Sequence, residues 1–159
     1  MKTLLNKGFG IKMMIAVFVC TLLAAFDTPP GGDSFTIYLN DKLLVKQFVY
    51  LKEKTKTISL QEASANDVLK IHYSHCGKMG VARNLTIKDE QNKIVKAWKF
   101  DDSSDANTGA MSVNASEVRK IQKSAGSKTL LLVYSSELLP EGIVLANISN
   151  SGEVKASIE

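Results

Sequence analysis

The chain has 159 residues and a formal net charge of +4, from 20 basic and 16 acidic side chains. Three of the lysines lie in the first 26 residues, which contain no acid, so 17 basic residues face 16 acidic ones in the remainder. This balance gives no support for a nucleic-acid partner. The remainder, about 130 residues long, is enough for one domain with a hydrophobic core.

The N-terminal segment is typical of a secretory signal peptide. Its lysines precede the apolar run MMIAVFVCTLLAAF, and Pro29 and Pro30 follow. The run is shorter than the ~20 residues of a membrane span, and Ala24 and Ala25 are small enough for a signal peptidase. We expect residues 1–26 to be removed and the protein to be secreted to the periplasm or cell surface, with no membrane span after cleavage. The alternative is that the signal is retained as an anchor.

The rest of the chain is predicted to form one domain. A flexible linker is expected at residues 27–33, a β-sandwich domain at 34–150 and a C-terminal tail at 151–159. Cys76 is the only cysteine outside the signal segment. No internal disulfide is therefore possible in the mature chain, and its stability must come from packing.

Short apolar runs with a period of two predict about eight β-strands. A turn at Asn40 and Asp41 joins the first two strands. The hairpin in NLTIKDEQNKIVKAWKF is expected to place Ile94, Trp98 and Phe100 on one face of its return strand. Strands are predicted near residues 35–39, 43–51, 56–60, 67–75, 84–88, 94–100, 129–136 and 142–149.

One short helix interrupts the strands. Asn114 and Glu117 have the spacing of a capping box, and Val118 and Ile121 form a narrow apolar stripe. Gly126 is positioned to end the helix. The pattern therefore predicts an all-β protein, an antiparallel β-sandwich with one short crossover helix.

The segment IKDEQNKIVKAWKF resembles the hairpins of immunoglobulin-like and fibronectin-like modules in secreted bacterial proteins. This resemblance implies an immunoglobulin-like or related sandwich. The chain departs from antibody-type domains because it has no cysteine pair to bridge the sheets.

The run IHYSHCGKMG, residues 71–80, combines imidazole, thiolate and thioether groups. His72, His75, Cys76 and Met79 are therefore candidate ligands for copper or zinc. The run resembles the ligand loop of cupredoxins in composition. It departs from that loop because no histidine lies between Cys76 and Met79, and no histidine on a distant strand supplies the remaining ligand.

The alternative interpretation of this run is a strand that enters a turn. Ile71 and Tyr73 would then face the core, while His72 projects the other way. Cys76 and Met79 would be buried as hydrophobic side chains.

The acidic segment DDSSDANTG offers oxygen ligands at alternate positions, Asp101, Ser103, Asp105 and Asn107. This spacing resembles part of a calcium loop. Ala106 occupies the position where an EF-hand needs glycine, and Ser112 the position of its bidentate glutamate. A solvated loop is the alternative.

Enzymatic motifs are mostly missing from the sequence. It has no Gly-rich phosphate loop, no Gly-x-Ser-x-Gly elbow and no HExxH pair. A Ser-His-Asp set would have to use His72 or His75, and no pattern singles out its serine. We therefore expect a non-enzymatic module that binds a protein, a glycan or another envelope component through a sheet face or loop tips. Soft-metal binding is the first alternative and a divergent hydrolase the second.

Overall fold

A computed structural model describes residues 32–51, 53–103, 109–126 and 128–149. The predicted signal peptide, most of the linker and the C-terminal tail lie outside the described residues. The strands are β1 (Ser34–Leu39), β2 (Lys42–Phe48), β3 (Thr57–Ile58), β4 (Val68–Ser74), β5 (Arg83–Lys88), β6 (Ile94–Phe100), β7 (Met111–Asn114), β8 (Thr129–Ser136) and β9 (Leu139–Ser149), with a 3₁₀ turn at Val49–Leu51 and an α-helix, α1, at Ala115–Ala125.

The strands form two sheets. The four-stranded sheet has the order β2-β1-β4-β7, and the five-stranded sheet has the order β3-β9-β8-β5-β6. Buried side chains from both sheets form one hydrophobic cluster. The predicted all-β, sandwich-like class with one short helix is therefore confirmed. The pairing is antiparallel except between β3 and β9, which are parallel.

Local sequence explains the first hairpin. Asn40, at the tip between β1 and β2, has a positive φ of 54°. Asparagine tolerates this conformation better than most residues. Its side-chain oxygen accepts from the backbone N–H of Val68, and its amide donates to Asp67. The hairpin tip is thereby tied to the start of β4.

The β5–β6 hairpin forms as predicted, but Ile94 does not share a face with Trp98. The register shifts between the pairs Ile87–Lys96 and Lys88–Ile94. This bulge places one extra residue in β6 and reverses the side-chain alternation beyond it. Ile94 is therefore 59% exposed, while Trp98 is partly buried against the core.

Two further expectations were incomplete. The described chain has nine strands rather than about eight, because β7 was not predicted. It is short, and only Met111 and Val113 face inward from it.

The last strand begins at Leu139 rather than Gly142. Gly142 has a φ of 74° within an irregular stretch of β8–β9 pairing, which allows the strand to continue through a bulge.

The helix has the predicted caps. The Asn114 side chain accepts from the backbone N–H groups of Ser116 and Glu117, and Gly126 ends α1 in the left-handed conformation. Val118 is buried and Ile121 packs against the core. The helix thus connects the edge strand β7 to β8 in the other sheet. Within the described residues, no helix has the length and hydrophobicity to cross a membrane.

Candidate functional site

The run at residues 71–80 is a strand that enters a tight turn, as the second interpretation predicted. β4 ends at Ser74, and the backbone N–H of Lys78 donates to the carbonyl of His75 at 3.1 Å. Cys76 and Gly77, between them, both have positive φ, 50° and 84°. This is the pattern of a type I′ hairpin turn.

The turn projects beyond the sheet, so Cys76 and Met79 are exposed. Their expected burial was wrong. His72 and His75 lie on opposite faces of the sheet, because they are three positions apart and side chains alternate along a strand. His72 packs edge-on against the Tyr38 ring, whereas His75 is buried.

The described residues contain no group of three or more His, Cys, Asp or Glu side chains placed to hold a metal ion. The copper or zinc prediction for His72, His75, Cys76 and Met79 stays a prediction.

His75 belongs to a buried polar network at one end of the sandwich. Its Nε2 lies 2.9 Å from the Tyr134 hydroxyl and 3.3 Å from the Ser136 hydroxyl. Its Nδ1 lies 3.3 Å from Oδ2 of Asp33, which also accepts from the Tyr73 hydroxyl at 3.0 Å. The Tyr73 and Tyr134 rings stack with centroids 4.3 Å apart. Strands from both sheets are thus joined by hydrogen bonds as well as by apolar contact.

The register explains why these groups meet. Ser34 pairs with Ser74 at the end of the β1–β4 ladder. Asp33 and His75, one residue beyond this pair on each chain segment, therefore lie opposite each other. Tyr134 and Ser136 alternate inward from β8 in the facing sheet. Asp33 was assigned to the flexible linker, yet it is the first inward side chain of the four-stranded sheet.

Burial raises the pKa of both tyrosine hydroxyls in this network. For Tyr73, the negative charge of Asp33 raises the pKa further. For Tyr134, the hydrogen bond with Ser136 and the charge of Arg83 act in the opposite direction, but burial dominates. Both hydroxyls therefore remain protonated and uncharged at pH values well above 7.

Asp33, His75 and Ser136 are connected in the order of an orienting acid, a general base and a nucleophile. In a catalytic set the nucleophile is accessible to substrate and the acid is buried. Here the serine is only 5% exposed, whereas the carboxylate side chain is 27% exposed. An open cleft of about 380 Å³ beside the network is lined by Asp33, His75, Cys76, Lys78 and Leu138, but not by Ser136. The Tyr134 hydroxyl is also nearer to Nε2 than the serine hydroxyl is.

The proposed calcium ligands are only partly described, because Asp105 and Asn107 lie outside the described residues. The Ser103 hydroxyl accepts from the backbone N–H of Gly80. The buried guanidinium of Arg83 donates to the carbonyl oxygens of Asp101 and Gly109, at the two ends of the loop. A fixed positive charge therefore lies at the base of this loop, next to the Asp101 carbonyl.

A second candidate site is the outer face of the four-stranded sheet. Outward positions of neighbouring strands place Lys46, Thr36 and His72 in one row. The next row contains Tyr38 and Lys70. The Tyr38 and His72 rings meet edge to face, with centroids 5.9 Å apart. A shallow cleft of about 230 Å³ runs along this pair and is lined by Tyr38, Asn40, Asp41, Lys70 and His72.

Four exposed apolar side chains lie at the free edge of the same sheet. Leu43 and Phe48 of β2 are 47% and 40% exposed, and Tyr50 and Leu51 of the following turn are 55% and 49% exposed. The Phe48 and Tyr50 rings lie 5.8 Å apart. We call the outward side chains of β2, β1, β4 and β7 the outer face, and these four residues its apolar edge.

No protein-family model matches the chain, and neither a curated protein nor a solved structure shows detectable similarity to it.

Proposed function

We propose that the protein is an exported β-sandwich module that acts by binding a component of the cell envelope through its outer face. The N-terminal sequence pattern supports export to the periplasm or cell surface. The immunoglobulin-like relationship suggested by the β5–β6 hairpin remains part of the prediction, separate from the proposed binding role.

The main observation that supports the binding proposal is the clustering of aromatic and imidazole rings on the outer face. The outer face presents Tyr38 and His72 in contact with each other, and the apolar edge adds Phe48 and Tyr50. The outward positions of the described five-stranded sheet present no aromatic side chain. Exposed aromatic clusters are characteristic of binding surfaces, because rings bury a large area at a small entropic cost.

Retention by the envelope tests this proposal. The exported protein is mixed with the washed insoluble envelope fraction of the producing cells, and its depletion from the supernatant is measured. We expect the Tyr38→Ala, His72→Ala double variant to lose most of this retention. The control is Thr86→Ala, on the outer side of the five-stranded sheet, which should be retained like wild type. Equal retention of wild type and double variant would contradict the proposal.

The second candidate function is ester hydrolysis, favoured by the order Asp33–His75–Ser136. The Ser136 hydroxyl would attack the acyl carbon while its proton passes to Nε2 of His75 and then to the leaving alcohol. Water would hydrolyse the acyl-serine in turn. Turnover of a p-nitrophenyl ester, lost in Ser136→Ala, would support this function. The same rate in wild type and variant would reject it.

A further inference from the structure

We propose that the ligand of the outer face is an anionic polysaccharide that lies across the strands. This inference rests on the proposed binding function and specifies the chemistry of its partner. It is based on the charge, the rings and the hydroxyl groups that the four-stranded sheet presents outward.

The charge of the outer face is positive. Among the described strands of this sheet, the outward positions include Lys46 and Lys70 and no acidic side chain. Lys70 pairs with Asp41 at 3.4 Å, but the Asp41 side chain is 98% exposed. Such a surface ion pair is weak, so Lys70 can exchange this carboxylate for one on a ligand.

The spacing of the charges suits an extended ligand. Lys46 and Lys70 lie two strands and one row apart, which corresponds to about 12 Å between their Cα atoms. His72 lies in the same row as Lys46, and Tyr38 lies in the same row as Lys70, so the ring pair is next to both lysines. A chain of sugars with repeated anionic groups can therefore meet both lysines while one sugar packs on the ring pair.

The remaining outward groups favour a glycan over a protein. Hydroxyl side chains surround the rings, at Ser34, Thr36, Ser74 and Ser112. Apart from Val68 at the start of β4, the apolar groups lie at the edge of the sheet, whereas the centre of a protein interface is normally apolar. A surface of hydroxyls and a few rings matches the hydroxyls and C–H faces of sugars, and the lysines select an acidic one.

The experiment compares polygalacturonate with its fully methyl-esterified form, which has the same backbone without charge. Poly-glutamate serves as a polyanion without sugars. Binding to the exported protein is measured by titration calorimetry at low and at physiological salt. The variants are Lys46→Gln, Tyr38→Ala and the control Lys99→Gln, which removes an exposed lysine from the outer side of β6.

We expect polygalacturonate to bind, with affinity reduced at least fivefold by Lys46→Gln and tenfold by Tyr38→Ala, and unchanged within twofold by Lys99→Gln. Affinity should fall as salt rises, because exposed charges are screened. The methyl ester and poly-glutamate should bind at least tenfold more weakly.

Three results would overturn the inference. Equal binding of the methyl ester would remove the role of charge, and equal binding of poly-glutamate would point to an acidic protein instead. Absence of polygalacturonate binding would also reject it. If envelope retention still depends on Tyr38 and His72 in that case, the binding proposal stands and only the ligand class is wrong.

Discussion

Replacing His75 and His72 separately by alanine should have very different effects on stability. The two residues are three positions apart and have the same chemistry, but His75 is 4% exposed and His72 lies on the outer face. His75→Ala removes the hydrogen-bond partner of the Tyr134 hydroxyl at 2.9 Å and the link to Asp33. Weakening buried hydrogen bonds in this way costs about 1–3 kcal/mol.

The cavity left by the imidazole ring adds about 1–2 kcal/mol, less than for a wholly apolar ring. The expected loss for His75→Ala is therefore roughly 3 kcal/mol of unfolding free energy. His72→Ala loses one edge contact with Tyr38 and should cost less than about 1 kcal/mol.

Urea unfolding followed by circular dichroism measures both values, with unchanged m-values as the check that unfolding remains two-state. In a Tyr134→Phe background, the cost of His75→Ala should fall by about 1 kcal/mol, because one of its bonds is already gone. Equal costs for the two histidine variants, or no coupling to Tyr134, would refute the buried network.

Further predictions concern pH, export and metal. Because burial raises the pKa of Tyr73 and Tyr134 in the folded state, the unfolded chain loses these protons first as pH rises above 10. Stability should therefore decline above that pH, by at most about 1.4 kcal/mol per pH unit per tyrosine and less for the partly exposed Tyr73. Tyr73→Phe should reduce this decline in alkaline unfolding experiments. An unchanged dependence of stability on pH would show that Tyr73 does not contribute to the decline. If the signal peptide is cleaved, intact-mass measurement of protein recovered from the envelope or medium should give an N-terminus close to Asp27, whereas a full-length membrane-bound species would indicate a retained anchor. In a competition titration, the reduced protein should bind Cu(I) no more tightly than micromolar, because His72 and His75 lie on opposite sides of β4. Stoichiometric binding that is lost in Cys76→Ser would instead support the metal site.

Sequence periodicity predicted the elements whose signals are local. The β1–β2 hairpin, the β5–β6 hairpin and the caps of α1 each depend on a few neighbouring residues, and all three form as expected. β7 was missed because it contributes only two inward side chains and passes directly into the helix cap. The exposure of Ile94 was missed because a bulge shifts the register without a distinctive residue to mark it.

The buried network could not be predicted because its contacts are not local. Asp33 lies 42 positions before His75, and Ser136 lies 61 positions after it. Alternation places Ser136 on the inward face of its strand, but only the topology shows that β8 faces β4 across the core. The outer face was partly predictable, since alternation directs His72 away from the core. Its contact with Tyr38 depends on the pairing of β1 with β4.

Amide chemical-shift mapping tests the binding proposal most directly. ¹⁵N-labelled protein is titrated with soluble fragments released from the cell envelope. The account predicts shifts concentrated at Thr36, Tyr38, Lys70 and His72 on the outer face, with Thr86 and Ala97 on the opposite sheet unchanged. Shifts confined to the five-stranded sheet, or to Asp33 and His75 at the end of the sandwich, would contradict it.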